Sequence, residues 1–227
     1  MTSPANTTPV LATSLNPWKR VPISDNGEGL VILTGLTSKP WHNYIGRDGS
    51  LDEVWLRVGV AKKLWEAQSY LPKGTRLLVL DGWRPRALHK KIMEEDSKAI
   101  KSTPDLQIIL DPPDLTKDHP AASLTGGRVG VTLSDEKGML DMGSIIRRPC
   151  PEALMYFYSK SSVLDHQLFH QRRMLLCSAM TRAGFSSGMG SWWRYQFGTQ
   201  EHHALVGGEA QYGLVKGLPS GHKYRKD

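Results

Sequence analysis

Leu78-Val79-Leu80-Asp81-Gly82-Trp83-Arg84-Pro85 is the stretch that decides how this chain folds. Together with Arg76 and Leu77 it forms a short apolar run bounded by Gly74 before and Asp81-Gly82 after, which predicts a buried strand ending in a turn. Pro85 suits the first position of a helix, where no backbone N–H is needed, and Leu88 and Ile92 continue it at helical spacing. Strand, turn and helix thus present Asp81 and Arg84 at one corner.

Upstream, Val54, Val58, Ala61 and Trp65 repeat at helical spacing behind acidic Asp52 and Glu53, and Pro72 with Gly74 stops the pattern. A helix over residues 53–71 is expected. Downstream, Pro104, Pro112, Pro113 and Pro120 make residues 101–123 a loop-rich passage and a candidate lid. Arg128 to Ser134 alternates like a strand, and a turn at Asp135–Gly138 pairs it with Met139–Met142. Asp165 is placed to cap a second helix, with Leu168, Leu175 and Ala179 on one face and Gly184 closing it. Trp192 to Phe197 reads as an aromatic strand. Helices mixed with short, hairpin-linked strands predict an α+β domain, a small mixed or antiparallel sheet flanked by helices.

The 227 residues suffice for one sizeable core. Residues 1–17, rich in small polar residues and proline, read as a flexible arm, and residues 18–227 as a single domain. No apolar stretch is long enough to span a bilayer, and the N-terminus lacks the basic start and apolar core of a secretory signal, so a cytoplasmic location is expected. The net charge of +7 suits a polyanion, yet the lysines and arginines are dispersed, which argues against a nucleic-acid partner. Cys150 and Cys177 are too few for a disulfide framework and lack zinc-knuckle spacing.

Three segments carry a resemblance. They are Leu78 to Pro85; Ser123-Leu-Thr-Gly-Gly-Arg-Val-Gly-Val-Thr-Leu133 followed by Leu140-Asp-Met-Gly143; and Trp192-Trp-Arg-Tyr195 with Phe197-Gly-Thr-Gln200. With Asn43-Tyr-Ile-Gly46, their order and spacing resemble the D-alanyl-D-alanine dipeptidases of the vancomycin-resistance type, a family of small zinc peptidases, over residues 40–215. The resemblance implies that family's fold.

It also implies a departure from the family's chemistry. The family's second segment begins with a zinc-binding His and carries a zinc-binding Asp seven residues on; here those positions hold Ser123 and Gly130. Its third segment reads Glu-Trp-Trp-His, supplying a general base and the last ligand; here Ser191 and Arg194 stand instead. A catalytic zinc needs three protein donors and an open position for water, and an arginine has no lone pair to give. Without the metal, the pKa of water stays near about 15.7 instead of about 7. No metal and no other cofactor is therefore expected.

Arg84 matches the arginine that in the family stabilises negative charge at the scissile-bond oxygen; an ion pair with Asp81 is the equally open structural reading. Arg194 and Arg128 would make the pocket cationic, with Trp192 and Trp193 as apolar walls and Ser123 and Ser191 as polar contacts. The expected ligand is a small anionic amino-acid or peptide-like molecule. Asp81 and Tyr195 are the candidate acid–base groups beside Arg84, joined by Asp118 and His119 if the proline-rich loop folds over the site. His166 and His170 share a helical face, and Glu201-His-His203 is a second possible donor cluster; a solvated or packing role suits both better. A metal-free enzyme working on such a ligand, in a non-hydrolytic step of specialised metabolism, and a non-catalytic binding protein both stay open. A residual zinc peptidase with displaced ligands is the third alternative.

Overall fold

The computed structural model describes residues 17–99, 116–187 and 190–219. The expected arm falls almost wholly outside them; Pro17–Arg20 already forms a 3-10 turn that buries Trp18. The candidate lid lies largely outside as well. Along the chain come β1 (Leu30–Ile32), β2 (Thr37–Ser38), α1 (Trp41–Tyr44), β3 (Trp55–Arg57), α2 (Val58–Ser69), β4 (Arg76–Asp81) and α3 (Arg86–Ala99). They are followed by β5 (Arg128–Asp135), β6 (Gly138–Met139), α4 (Leu164–Arg182), β7 (Ser186–Ser187), β8 (Arg194–Gln196) and α5 (Gln200–Val206).

The main sheet runs β2-β4-β5-β8-β7, with β6 paired to β5. Only the β2–β4 pair is parallel; β4–β5, β5–β6, β5–β8 and β7–β8 are antiparallel. A separate antiparallel pair joins β1 to β3. This is the mixed, helix-flanked α+β architecture expected. Leu77, Val79, Val131 and Leu133 from the central strands β4 and β5 are fully buried with Leu64 of α2 and Leu176 of α4. Each such side chain contributes about 1.5–3 kcal/mol through loss of apolar surface to water. Among the described residues, no helix is long and apolar enough to cross a membrane.

Three local expectations are corrected. The helix expected over 53–71 starts only at Val58, because Trp55–Arg57 pairs with Leu30–Ile32 as a strand. Its core face is Val60, Leu64 and Ala67, while Trp65 is 48% exposed. Tertiary pairing overrode a helical pattern in which Val54 and Val58 belong to different elements. On α4, the N-cap is Val163, with Asp165 inside the first turn; Leu168 is exposed, and the buried line is Arg173, Leu176, Ala179 and Met180. The aromatic strand shortens to Arg194–Gln196, and Trp192 and Trp193 lie in the turn before it.

Candidate functional site

The Asp81-to-Pro85 turn is clamped from both sides. Trp83 donates its backbone N–H to Trp55 O at 2.7 Å and its indole N–H to Leu124 O at 3.1 Å, and Arg84 N–H reaches Ser123 O at 3.0 Å. A Cβ on Gly82 would stand 2.5 Å from Trp55 O, so this close passage of backbones needs glycine. The clamp turns Arg84 back onto the end of β4. Its Nε lies 3.1 and 3.0 Å from Asp81 Oδ1 and Oδ2, and its Nη2 also bonds Oδ2.

Strand register decides what shares this corner. Asp81 pairs with Gly130, and Gly130 pairs with Arg194, giving one row across β4, β5 and β8. Two residues along, Arg128 faces Gln196 on the same side of the sheet. Gly130 leaves the floor of the row open; a Cβ there would come within 2.9 Å of Asp81 Cβ. The result is a narrow cleft, open to solvent, with Asp81, Arg84, Arg128, Gly130, Trp193 and Arg194 in its walls.

Arg147, which sequence reasoning missed, completes the cleft. Its Nη1 is 3.6 Å from Asp81 Oδ2 and its Nη2 is 3.7 Å from Asp96 Oδ2. Among described non-glycine residues it alone has a positive φ, 62°. No local pattern marks it, because the 142–154 loop that presents it is held from α4. There Arg173 donates to Met142 O at 2.9 Å, Leu154 O at 2.7 Å and Glu152 O at 2.7 Å, and stacks over Tyr158 and Trp192.

His42 was missed too. It is 5% exposed, its Nε2 is 3.8 Å from Asp81 Oδ2, and neither ring nitrogen has a hydrogen-bond partner among the described residues. Burial pushes its pKa down to about 2; the pull of Asp81 opposes this, while Arg147, Arg84 and Arg47 reinforce it. His42 is therefore neutral. It lines a second cleft, between α1 and the turn, that shares Leu80, Asp81 and Arg84 with the first. Burial by itself would raise the pKa of Asp81, but the Arg84 guanidinium above all, helped by Arg147, holds it below the ordinary carboxylate value. The carboxylate is ionised and committed to guanidinium partners, which makes it a poor proton acceptor at neutral pH.

The other candidates separate. Tyr195 points to the opposite face from Arg194 and Gln196 and is fully buried in the core beside Cys177, so the expected acid–base role meets a side chain outside the cleft. Burial, with Cys177 adjacent, drives its pKa well above the ordinary value. Trp192 also leaves the cleft: its indole N–H goes to Ser144 Oγ at 2.8 Å. Ser191 is fully buried outside the cleft lining, and its hydroxyl has no partner among the described residues. Ser123 Oγ sits 2.9 Å from His89 Nδ1, linking its 3-10 turn to α3 outside the cleft lining. Arg128 ion-pairs with Glu201 at 2.6 Å. Asp118 and His119 lie toward the N-terminal turn, the first accepting from Gln200 at 3.1 Å through its carbonyl, the second packed edge-on to Trp18.

This donor set does not fit a catalytic zinc. The row offers a glycine, an arginine and an arginine-bound carboxylate, and among the described residues no three His, Cys, Asp or Glu side chains gather closely enough to hold a metal ion. His166 is engaged with Ser161 Oγ at 2.8 Å, and His202 with Ser186 Oγ at 3.1 Å.

A family model described as D-ala-D-ala dipeptidase matches residues 40–207. A D-alanyl-D-alanine dipeptidase of Synechocystis sp. (strain ATCC 27184 / PCC 6803 / Kazusa) is 29% identical, over 83% of this chain and 89% of the relative. The match spans the clamped turn, the β5 row and the Trp192–Arg194 segment alike, so the chain belongs to the D-Ala-D-Ala dipeptidase family.

Proposed function

We propose that this family member has given up zinc peptidase chemistry and uses the cleft to bind a small anionic amino-acid or peptide-like ligand. The observation that carries the proposal is the wall itself, where Arg84, Arg128, Arg147 and Arg194 line the cleft and Asp81 is the one acidic residue among the lining, with Glu201 and Asp96 pairing Arg128 and Arg147 from outside it. Guanidinium groups bind carboxylates through paired, charge-assisted hydrogen bonds, and they repel a divalent cation. In this proposal residues 18–227 act as one domain in the cytoplasm, without metal, membrane or nucleic acid.

Metal analysis of the purified protein, combined with a D-Ala-D-Ala hydrolysis assay and calorimetric titration with small carboxylates, tests the proposal. Substoichiometric zinc, no hydrolysis and saturable carboxylate binding that Arg194→Ala weakens are expected. One tightly held zinc per chain with dipeptide turnover overturns it. A second reading, metal-independent conversion of the bound ligand, draws on His42 beside Asp81. The commitment of Asp81 to Arg84 and the core position of Tyr195 favour binding over turnover.

A further inference from the structure

We infer that Trp193 is a specificity-determining residue of the arginine cleft: its indole N–H donates to an oxyanion of the ligand. This deepens, and rests on, the anion-binding proposal. Trp193 lines the cleft and is 3% exposed, and its Nε1 has no hydrogen-bond acceptor among the described residues. Two neighbouring buried indoles are satisfied within the fold, Trp83 through Leu124 O and Trp192 through Ser144 Oγ. A buried donor without an acceptor is disfavoured, and its persistence inside a cleft points to an acceptor arriving from outside.

The ring is well placed to be selective. Val131 N–H bonds Trp193 O at 2.9 Å, and the ring stands edge-to-face on Trp192 with centroids 5.3 Å apart. The residue is therefore fixed through its backbone by β5 and through its ring by Trp192. An indole N–H can only donate, and so can the guanidinium groups of Arg84, Arg128, Arg147 and Arg194. A ligand group that supplies acceptors alone, a carboxylate or a phosphate, matches these donors; an ammonium or guanidinium group would leave Trp193 unsatisfied and meet the arginines, the one acidic side chain of the wall, Asp81, being already bonded to Arg84.

The test is a titration of the full chain, labelled with 15N, with sodium acetate and separately with inorganic phosphate. The indole resonances are followed by NMR, affinity is measured by calorimetry, and Trp193→Phe keeps the ring while removing the donor. Expected is a saturable downfield shift of the Trp193 indole proton with at least one probe, about a ten-fold loss of affinity in Trp193→Phe, and no loss in Trp65→Phe on the exposed face of α2. Acetate alone producing the shift identifies a carboxylate site, phosphate alone a phosphate site. Saturable binding with an unmoved Trp193 resonance, or unchanged affinity in Trp193→Phe, overturns the inference and leaves the cleft proposal standing. No binding of either probe overturns both. Because the indole shift is read on the unmodified chain, a folding defect in the variant does not decide the outcome.

Discussion

Arg84 and Asp81 form one buried unit: Nε of the arginine lies 3.0 and 3.1 Å from the two carboxylate oxygens, and Arg84 is only 2% exposed. Removing one partner of such a pair leaves an uncompensated buried charge, which costs about 3–5 kcal/mol. Arg84→Ala should fall at the lower end of that range, because Arg147 also faces Asp81 at 3.6 Å. Urea unfolding measures it; a loss below about 1 kcal/mol would show that the pair is not structural.

Arg173 anchors the loop that delivers Arg147, using three carbonyls and two aromatic faces. Lysine has neither the planar fork nor the number of donors to replace it. Arg173→Lys should therefore destabilise the protein by about 3 kcal/mol and weaken anion binding in the cleft. Unfolding and calorimetry on the same variant check both, and unchanged carboxylate affinity would detach the loop from the site.

Acid should destabilise this fold from near pH 6.5 downward. His42 has its pKa lowered from 6.5 to about 2 and His202 to about 4, so the unfolded chain binds protons that the folded chain refuses. Their contribution is complete above pH 6.5 and is lost progressively as pH falls toward those values; Asp81, lowered from 3.8 to about 2, adds to the loss below pH 3.8. His42→Phe should flatten the dependence of Tm on pH between 6.5 and 4 and should not lower Tm at pH 7.5. A slope identical to that of the unmodified chain would contradict the neutral, buried state of His42.

Gly130 is set against Asp81 so closely that any side chain must displace it. Gly130→Ala is expected to cost about 1–3 kcal/mol through crowding and to reduce ligand affinity by narrowing the floor of the cleft. Thermal unfolding and carboxylate titration measure the two effects separately.

Legibility differed sharply between residues. The strand at 76–81, the turn that follows and the helix beginning after Pro85 could be read because apolar run, turn chemistry and helix start agree locally. The position of Tyr195 was also within reach: it alternates with Arg194 and Gln196, so a cleft lined by Arg194 excludes it. His42 and Arg147 were not legible. Each reaches Asp81 from a segment distant in sequence, and the positive φ of Arg147 is imposed by a loop tied to a helix that follows it. The N-terminal part of the helix expected from residue 53 failed because β pairing is a long-range choice, and Trp55–Arg57 found its partner at Leu30–Ile32.

By itself the sequence determined the α+β class, the strand-turn-helix corner at Asp-Gly-Trp-Arg-Pro and the residue types standing at Ser123, Gly130, Ser191 and Arg194, since these depend on local pattern and on identity at a position. Only tertiary structure decided which of them meet. Cross-strand register placed Asp81, Gly130 and Arg194 in one row, turned Tyr195 into the core, and brought Arg147 and His42 to the same carboxylate. Side-chain direction in a sheet follows pairing and pleat, and pairing is settled by contacts between segments far apart in the chain.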